Sequence, residues 1–348
     1  MVSLKVLFLA EEKIPVLLKR LSKTSQVFAP VQVSDTVVVF QEFSNGAQVV
    51  FDKQASMPPK GVIFPQTEQF LSYTYAKDPE NLTRSTVQLD HQVEAKPTLL
   101  FGARPCDVQG LAVFDAVFTQ GQWQDPSVKA RTDATTIVTL LCVKPEGTCF
   151  CTSVGGSPTA TEGADLALTP VSGGYVAEAI TEKGKTMLQD EAFTPAKDKQ
   201  VKEAERVRAA VKKQDTLPLK QIEQKLIKLF STEFWEQMSA PCISCGACTY
   251  VCPACYCFNI TDEPAGMGGE RIRTWDSCMF YQYTLEASGH NPRPTKAERY
   301  RNRIGHKFSY HPTNYKGQFG CSGCGRCIKA CPVSLDIRQV LREATTHG

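Results

Sequence analysis

Cys242-Ile-Ser-Cys245-Gly-Ala-Cys248-Thr-Tyr-Val-Cys252-Pro253 and Cys321-Ser-Gly-Cys324-Gly-Arg-Cys327-Ile-Lys-Ala-Cys331-Pro332 are two copies of one pattern, C-x2-C-x2-C-x3-C-P. Each iron of a [4Fe–4S] cubane takes one protein thiolate. Cysteines at i, i+3 and i+6 can wrap one side of such a cluster within a tight loop. The fourth cysteine stands too close in sequence to reach the same cluster readily. Paired C-x2-C units also build zinc ribbons, but zinc sites rarely use two complete runs closed by proline. Two [4Fe–4S] clusters are therefore the fixed point from which the rest of the chain is read.

In two-cluster ferredoxins the cysteine before the proline ligates the other cluster. The same crossing assigns Cys242, Cys245, Cys248 and Cys331 to one cluster, and Cys321, Cys324, Cys327 and Cys252 to the other. Small residues between the ligands (Gly246, Ala247, Gly323, Gly325) let backbone N–H groups approach the cluster sulfurs. The spacer from Pro253 to Gly320 is 68 residues long, far longer than in a small ferredoxin. It points to a helical two-cluster module rather than the compact β-rich ferredoxin.

Seven cysteines remain of the 15. Cys106, Cys142, Cys149 and Cys151 form a first group, the usual complement of a third [4Fe–4S] cluster. The alternative is four buried structural thiols. Cys255, Cys257 and Cys278 lie in the spacer and are candidate additional metal ligands that need a fourth partner. A disulfide framework fits poorly. The cysteine count is odd, no signal peptide is visible, and eight cysteines sit in cluster spacing. A reducing cytoplasm, with anaerobic metabolism, is the expected setting.

Upstream of the motifs the chain reads as a mixed α/β domain over residues 1–205, followed by an α-helical dicluster ferredoxin-like domain over 206–348. Glu11 to Ser25 has apolar residues at helical spacing, and Thr36 to Phe43 reads as a strand. Gln66 to Tyr73 reads as a short helix. Pro97 to Phe101, a helix bearing Leu111, Phe114, Val117 and Phe118, and Thr135 to Leu141 make a βαβ unit with parallel strands. Cys106 and Cys142 then fall just past the carboxyl ends of neighbouring strands, where open α/β sheets place their sites. Leu166 to Thr181, broken by Gly173-Gly174, reads as a hairpin. Asp198 to Asp215 reads as a solvated linker helix, and Leu219 to Met238 as an amphipathic helix leading into the first motif.

Between residues 291 and 316, seven Lys or Arg accompany one Glu. A nucleic-acid face is one reading, but the whole chain carries a net charge of only +3. The favoured reading is hydrogen-bond donation toward negatively charged clusters, with a docking face for an acidic partner. No apolar run approaches the roughly 20 residues needed to span a bilayer. No G-x-G-x-x-G, no G-x4-G-K-[ST] and no nucleophile–base pair is visible. The chain is expected to carry electrons without being catalytic alone.

Pro58-Pro-Lys-Gly-Val-Ile-Phe-Pro-Gln-Thr-Glu68, Gly102-Ala-Arg-Pro-Cys-Asp107, Cys149-Phe-Cys151, Cys255-Tyr-Cys-Phe258, Trp275-Asp-Ser-Cys-Met-Phe280 and Gly289-His-Asn-Pro-Arg-Pro294 together resemble one family. It comprises the iron–sulfur β subunits of cytoplasmic sulfhydrogenases, the corresponding iron–sulfur subunit of anaerobic sulfite reductase, and the related subunit of flavin oxidoreductase–heterodisulfide reductase complexes. The resemblance implies an electron-transfer subunit beside a partner that binds FAD, a [2Fe–2S] cluster and NAD(P)H. It further implies a terminal hydrogenase, sulfite reductase or heterodisulfide reductase subunit, without choosing among them. The competing reading is a self-contained iron–sulfur oxidoreductase that binds flavin or substrate over the first domain.

Overall fold

The computed structural model describes residues 6–91, 93, 95–211, 216–231 and 233–347. Twelve strands are described: β1 (Leu7–Ala10), β2 (Gln26–Gln32), β3 (Val38–Glu42), β4 (Thr67–Lys77), β5 (Ser85–Asp90), β6 (Thr98–Ala103), β7 (Thr135–Leu140), β8 (Leu166–Val171), β9 (Gly174–Ala179), β10 (Phe193–Pro195), β11 (Phe258–Ala265) and β12 (Gly268–Trp275). Eight of them make one mixed sheet in the order β10-β1-β9-β8-β7-β6-β2-β3. Its centre, β2, β6, β7 and β8, is parallel.

The sequence of β6 explains that centre. Leu99 and Phe101 face one apolar layer with Leu17, Leu18 and Val138. Leu100 and Ala103 face another with Phe64, Leu111 and Phe114. A strand buried on both faces reads as a continuous apolar run, as here. Gly102 (φ +81°) is a bulge that shifts the register against β7, and any Cβ there would meet the Phe51 ring. The helix Pro105–Phe118 starts immediately afterwards, so the bulge aims Arg104, Pro105 and Cys106 over the strand end.

A second sheet corrects two expectations. Gln66 to Tyr73 is not a helix but the start of β4, the long strand of a four-stranded antiparallel sheet ordered β11-β12-β4-β5. Its alternating aromatic residues fit a pleated surface better than a helix face. The spacer is not wholly helical either. It contributes the β11–β12 hairpin, closed by Gly266 at φ +61° and Met267. The sheet therefore takes two strands from each side of residue 206.

The rest of the dicluster region is helical around a separate apolar core, which includes Leu226, Trp235, Tyr300, Ile304, Phe308 and Leu341. The amphipathic stretch from Leu219 is two helices, Ile222–Lys228 and Phe234–Ser239. The carbonyls freed between them are taken up by side chains. Trp235 Nε1 donates to Leu229 O at 2.9 Å, and Arg301 Nη1 donates to Phe230 O at 2.7 Å. The charged stretch from Asp198 forms a helix over Asp198–Ala209; its expected end, residues 212–215, lies outside the described residues. No described helix is long and apolar enough to cross a membrane.

Candidate iron–sulfur sites

The two motifs fold alike. Residues two and four places after the first cysteine adopt left-handed backbone in both: Ser244 (+57°) and Gly246 (+74°), Gly323 (+63°) and Gly325 (+74°). This winds each loop tightly, so the Ser244 and Gly323 amides donate to the sulfurs of Cys242 and Cys321, both at 3.4 Å. A one-turn helix follows each loop, Ala247–Tyr250 and Arg326–Lys329. Gly246, Gly323 and Gly325 also have no room for a Cβ. It would meet Phe280, the Cys151 backbone and Thr148 respectively.

Cys242, Cys245, Cys248 and Cys331 surround one cavity, with Cys327, Tyr300 and Arg303 on its wall. Cys252, Cys321, Cys324 and Cys327 surround a second, with Lys307. The fourth cysteine of each motif thus sits with the first three of the other. Cys245 is exposed, whereas Cys252, Cys321 and Cys324 are buried. Cys106, Cys142, Cys149 and Cys151 line a third cavity of about 280 Å³. Cys255, Cys257 and Cys278 gather beside Cys252 instead. Cys255 hydrogen-bonds Cys252, and Cys257 hydrogen-bonds Cys278.

Among the described residues no three His, Cys, Asp or Glu side chains converge as a single metal ion would require. Zinc demands four ligands within about 2.3 Å of one point. A cubane spreads its thiolates over four separate irons, so a ring of cysteines around a cavity suits it better.

The buried charges test this fit. Two buried arginines elsewhere have carboxylates: Arg326 meets Asp107 at 2.5 Å, and Arg273 pairs with Glu68 and Asp125. Buried Lys60 and Arg299 donate to backbone carbonyls instead. Arg303 and Lys307, each 4% exposed, pair with no carboxylate among the described residues. Arg303 lines the first cavity, and its Nε has no hydrogen-bond partner. Lys307 lines the second; its Nζ donates to Cys252 Sγ at 3.3 Å and to Gly320 O at 2.8 Å. A π-helical turn, His306–Tyr310, carries Lys307 there. Burial works against both charges, yet the surrounding sulfurs hold both pKa values well above the ordinary ones. For Arg303 these are chiefly Cys248 and Cys327; for Lys307, Cys252 and Cys255. Thiolate-bound clusters in these cavities would supply the negative charge that Arg303 and Lys307 lack from carboxylates.

Bare Cys321 and Cys327 thiols would keep their protons, whereas the Cys255 hydrogen bond and Lys307 pull Cys252 well below the ordinary thiol value. Burial pushes Cys321 up to about 12 and Cys327 up to about 11, against the pull of Lys307 and Arg303. A metal takes them as thiolates, so cluster binding releases protons. These inward cations answer one sequence expectation: part of the basic run turns toward the cysteines. Lys60 is the cation that sequence reading passed over. It is buried, donates to Thr249 O at 3.2 Å and Cys255 O at 3.0 Å, and lies over the Trp275 ring. Its only sequence signal was its place inside the Pro58–Glu68 stretch.

The family model described as "4Fe-4S dicluster domain" matches residues 241–335. The chain is 30% identical over 343 residues to sulfhydrogenase 2 subunit beta of Pyrococcus furiosus, covering 96% of this chain and 97% of that protein. It belongs to the sulfhydrogenase beta-subunit family. No solved structure matches it. Members of this family are iron–sulfur electron-transfer proteins, and this chain carries [4Fe–4S] clusters in its dicluster domain.

Proposed function

We propose that the chain relays single electrons between two partner subunits through two [4Fe–4S] clusters. One is held by Cys242, Cys245, Cys248 and Cys331, the other by Cys321, Cys324, Cys327 and Cys252. The observation that carries the reading is the interleaving of the motifs around two cavities that share Cys327 on their walls. Shared walls keep the clusters close, and a relay needs short steps between centres. The clusters supply one-electron chemistry when bound. The chain's own residues hold them, exclude water, and set their potentials through Lys307, Arg303 and the N–H···S bonds.

The partners in this reading are an FAD/[2Fe–2S] subunit that binds NAD(P)H and a terminal reductase or hydrogenase. The name of the P. furiosus relative favours a hydrogenase among the three terminal choices. The setting is the cytoplasm, where thiols outside the clusters stay reduced. Residues 1–205 act as the platform and 206–348 as the cluster carrier. Cys255, Cys257 and Cys278 are candidate additional ligands on the Cys252 side; unchanged iron in Cys278→Ser removes that role.

Purified chain should lose its broad visible absorbance on reduction with dithionite and give interacting paramagnetic signals. A chain with no reducible cluster would overturn the proposal. Affinity purification of the native complex through this chain should bring down both the terminal enzyme and the flavin-binding partner.

A second reading, a self-contained flavin- or substrate-binding oxidoreductase, has one observation in its favour. A crevice of about 630 Å³ opens past the strand ends, lined by Phe51, Tyr175, Arg104, Lys53 and Lys144. Flavin retained by the isolated chain, with NAD(P)H oxidation, would select it.

A further inference from the structure

The third thiol group occupies a place the dicluster fold does not account for. Cys106 opens the helix after β6, and Cys142 follows β7, its parallel neighbour. Cys149 and Cys151 come from the loop beyond. Their sulfur-bearing side chains share one cavity wall. Thiolate-only donors select zinc or iron–sulfur centres over hard cations.

Two features tie this cavity to the dicluster. Cys324 lines both it and the second motif cavity. The connecting wall is fixed by hydrogen bonds: Gln54 Nε2 donates to Cys324 O at 3.1 Å and approaches Cys106 Sγ at 3.8 Å. Cys149 Sγ reaches Cys324 O at 3.8 Å, and the Phe150 amide donates to Gly323 O at 2.8 Å. Gly323 touches the Cys151 backbone so closely that a Cβ there would stand 2.5 Å from it. Arg104 hydrogen-bonds Cys142, and Lys53 and Lys144 line the same cavity against Asp52 and Glu146. The wall thus carries a net positive charge, which suits an anionic centre.

We propose that Cys106, Cys142, Cys149 and Cys151 hold a third [4Fe–4S] cluster, next in line after the cluster on Cys321, Cys324, Cys327 and Cys252. The three cavities then form one row, with Cys327 in the first shared wall and Cys324 in the second. The exposed Cys245 marks one end of the row, and the third cavity marks the other. The use of this centre in relay rests on the proposed function; its ligand set does not.

The test is iron, zinc and acid-labile sulfide per chain in the full-length protein, with paramagnetic resonance after reduction. Three clusters bring about twelve irons and two bring about eight. Cys142→Ser and Cys149→Ser should each lower iron by about a third while leaving the dicluster signals in place. About eight irons in the native chain, with these four thiols open to alkylation under native conditions, would overturn the inference. One zinc beside eight irons would also overturn it. Loss of the dicluster signals from the unaltered protein would instead sink the relay proposal. Should the variants fail to fold, iron content and alkylation of the native chain decide alone.

Discussion

Lys307 places a buried ammonium 3.3 Å from the Cys252 sulfur with no carboxylate among the described residues to share it. Reduction adds negative charge to a cluster, so a nearby cation makes it easier. Lys307→Met should lower the potential of the cluster nearest Cys252, with about 59 mV corresponding to 1.4 kcal/mol for one electron. A redox titration followed by paramagnetic resonance reads this directly; an unmoved potential would remove Lys307 from the tuning set. Its neighbour His306 accepts or donates a hydrogen bond with the Tyr256 hydroxyl at 3.0 Å. Burial, then Lys307 and His311, depress the His306 pKa to about 4 from the usual 6.5. Below pH 6.5 the unfolded chain takes up a proton that the folded chain refuses until about pH 4. Stability should therefore fall as pH drops through that window, by on the order of 3 kcal/mol in all, and level off below it. His306→Gln should flatten this fall in urea midpoints measured from pH 7 to 5. The motif cysteines were legible because ligand spacing is a local property of the chain. The inward turn of Arg303 and Lys307 was only half legible, since a run of basic residues looks the same whether it meets solvent or sulfur.

Gly110 lies where the helix Pro105–Phe118 crosses Pro253, the proline that closes the first motif. A Cβ at Gly110 would stand 2.5 Å from the Pro253 ring. Gly110→Ala should destabilise by about 1–3 kcal/mol despite better helix propensity, because neither backbone can yield. Thermal unfolding of the loaded protein checks it. The second sheet offers another test. Glu68 on β4 pairs with Arg273 on β12 and, at 2.5 Å, with Arg131. Glu68→Ala leaves Arg273, 3% exposed, with Asp125 as its remaining carboxylate, and should cost about 1.5–3 kcal/mol by urea denaturation. This sheet was hard to read from sequence. Thr67–Lys77 and Phe258–Trp275 stand far apart, and neither has an apolar face wide enough to announce burial. The hairpin did leave one signal, Gly266-Met-Gly268 between runs rich in β-branched and aromatic residues. The parallel centre was easier, since β6 is a nearly continuous apolar run, β7 is rich in β-branched residues, and helical sequence separates them.

At the scale of the molecule, the sequence suggested two bodies in series, and the structure interlocks them. Arg326, in the second motif, is bound to Asp107 and to Ala55 O. Lys60 and Gln54 reach from the first half into both cysteine loops. Such contacts are long-range pairings that no local pattern encodes. The crossed ligands make a related prediction. A chain truncated after Gly320 should lose both clusters rather than one, because it lacks Cys331 as well as the second triplet. Iron near zero in that fragment is the expected result; retention of about four irons would show that the first motif closes a cluster by itself. The interleaved cysteines also govern biosynthesis. On the ribosome Cys242, Cys245 and Cys248 emerge early and must wait as an open trio of thiols. Neither set of four is complete until the second motif has been made and has folded back on the first. On the proposed ligand sets, cofactor insertion is timed by tertiary folding, and the donor that delivers iron and sulfide must meet a nearly finished chain.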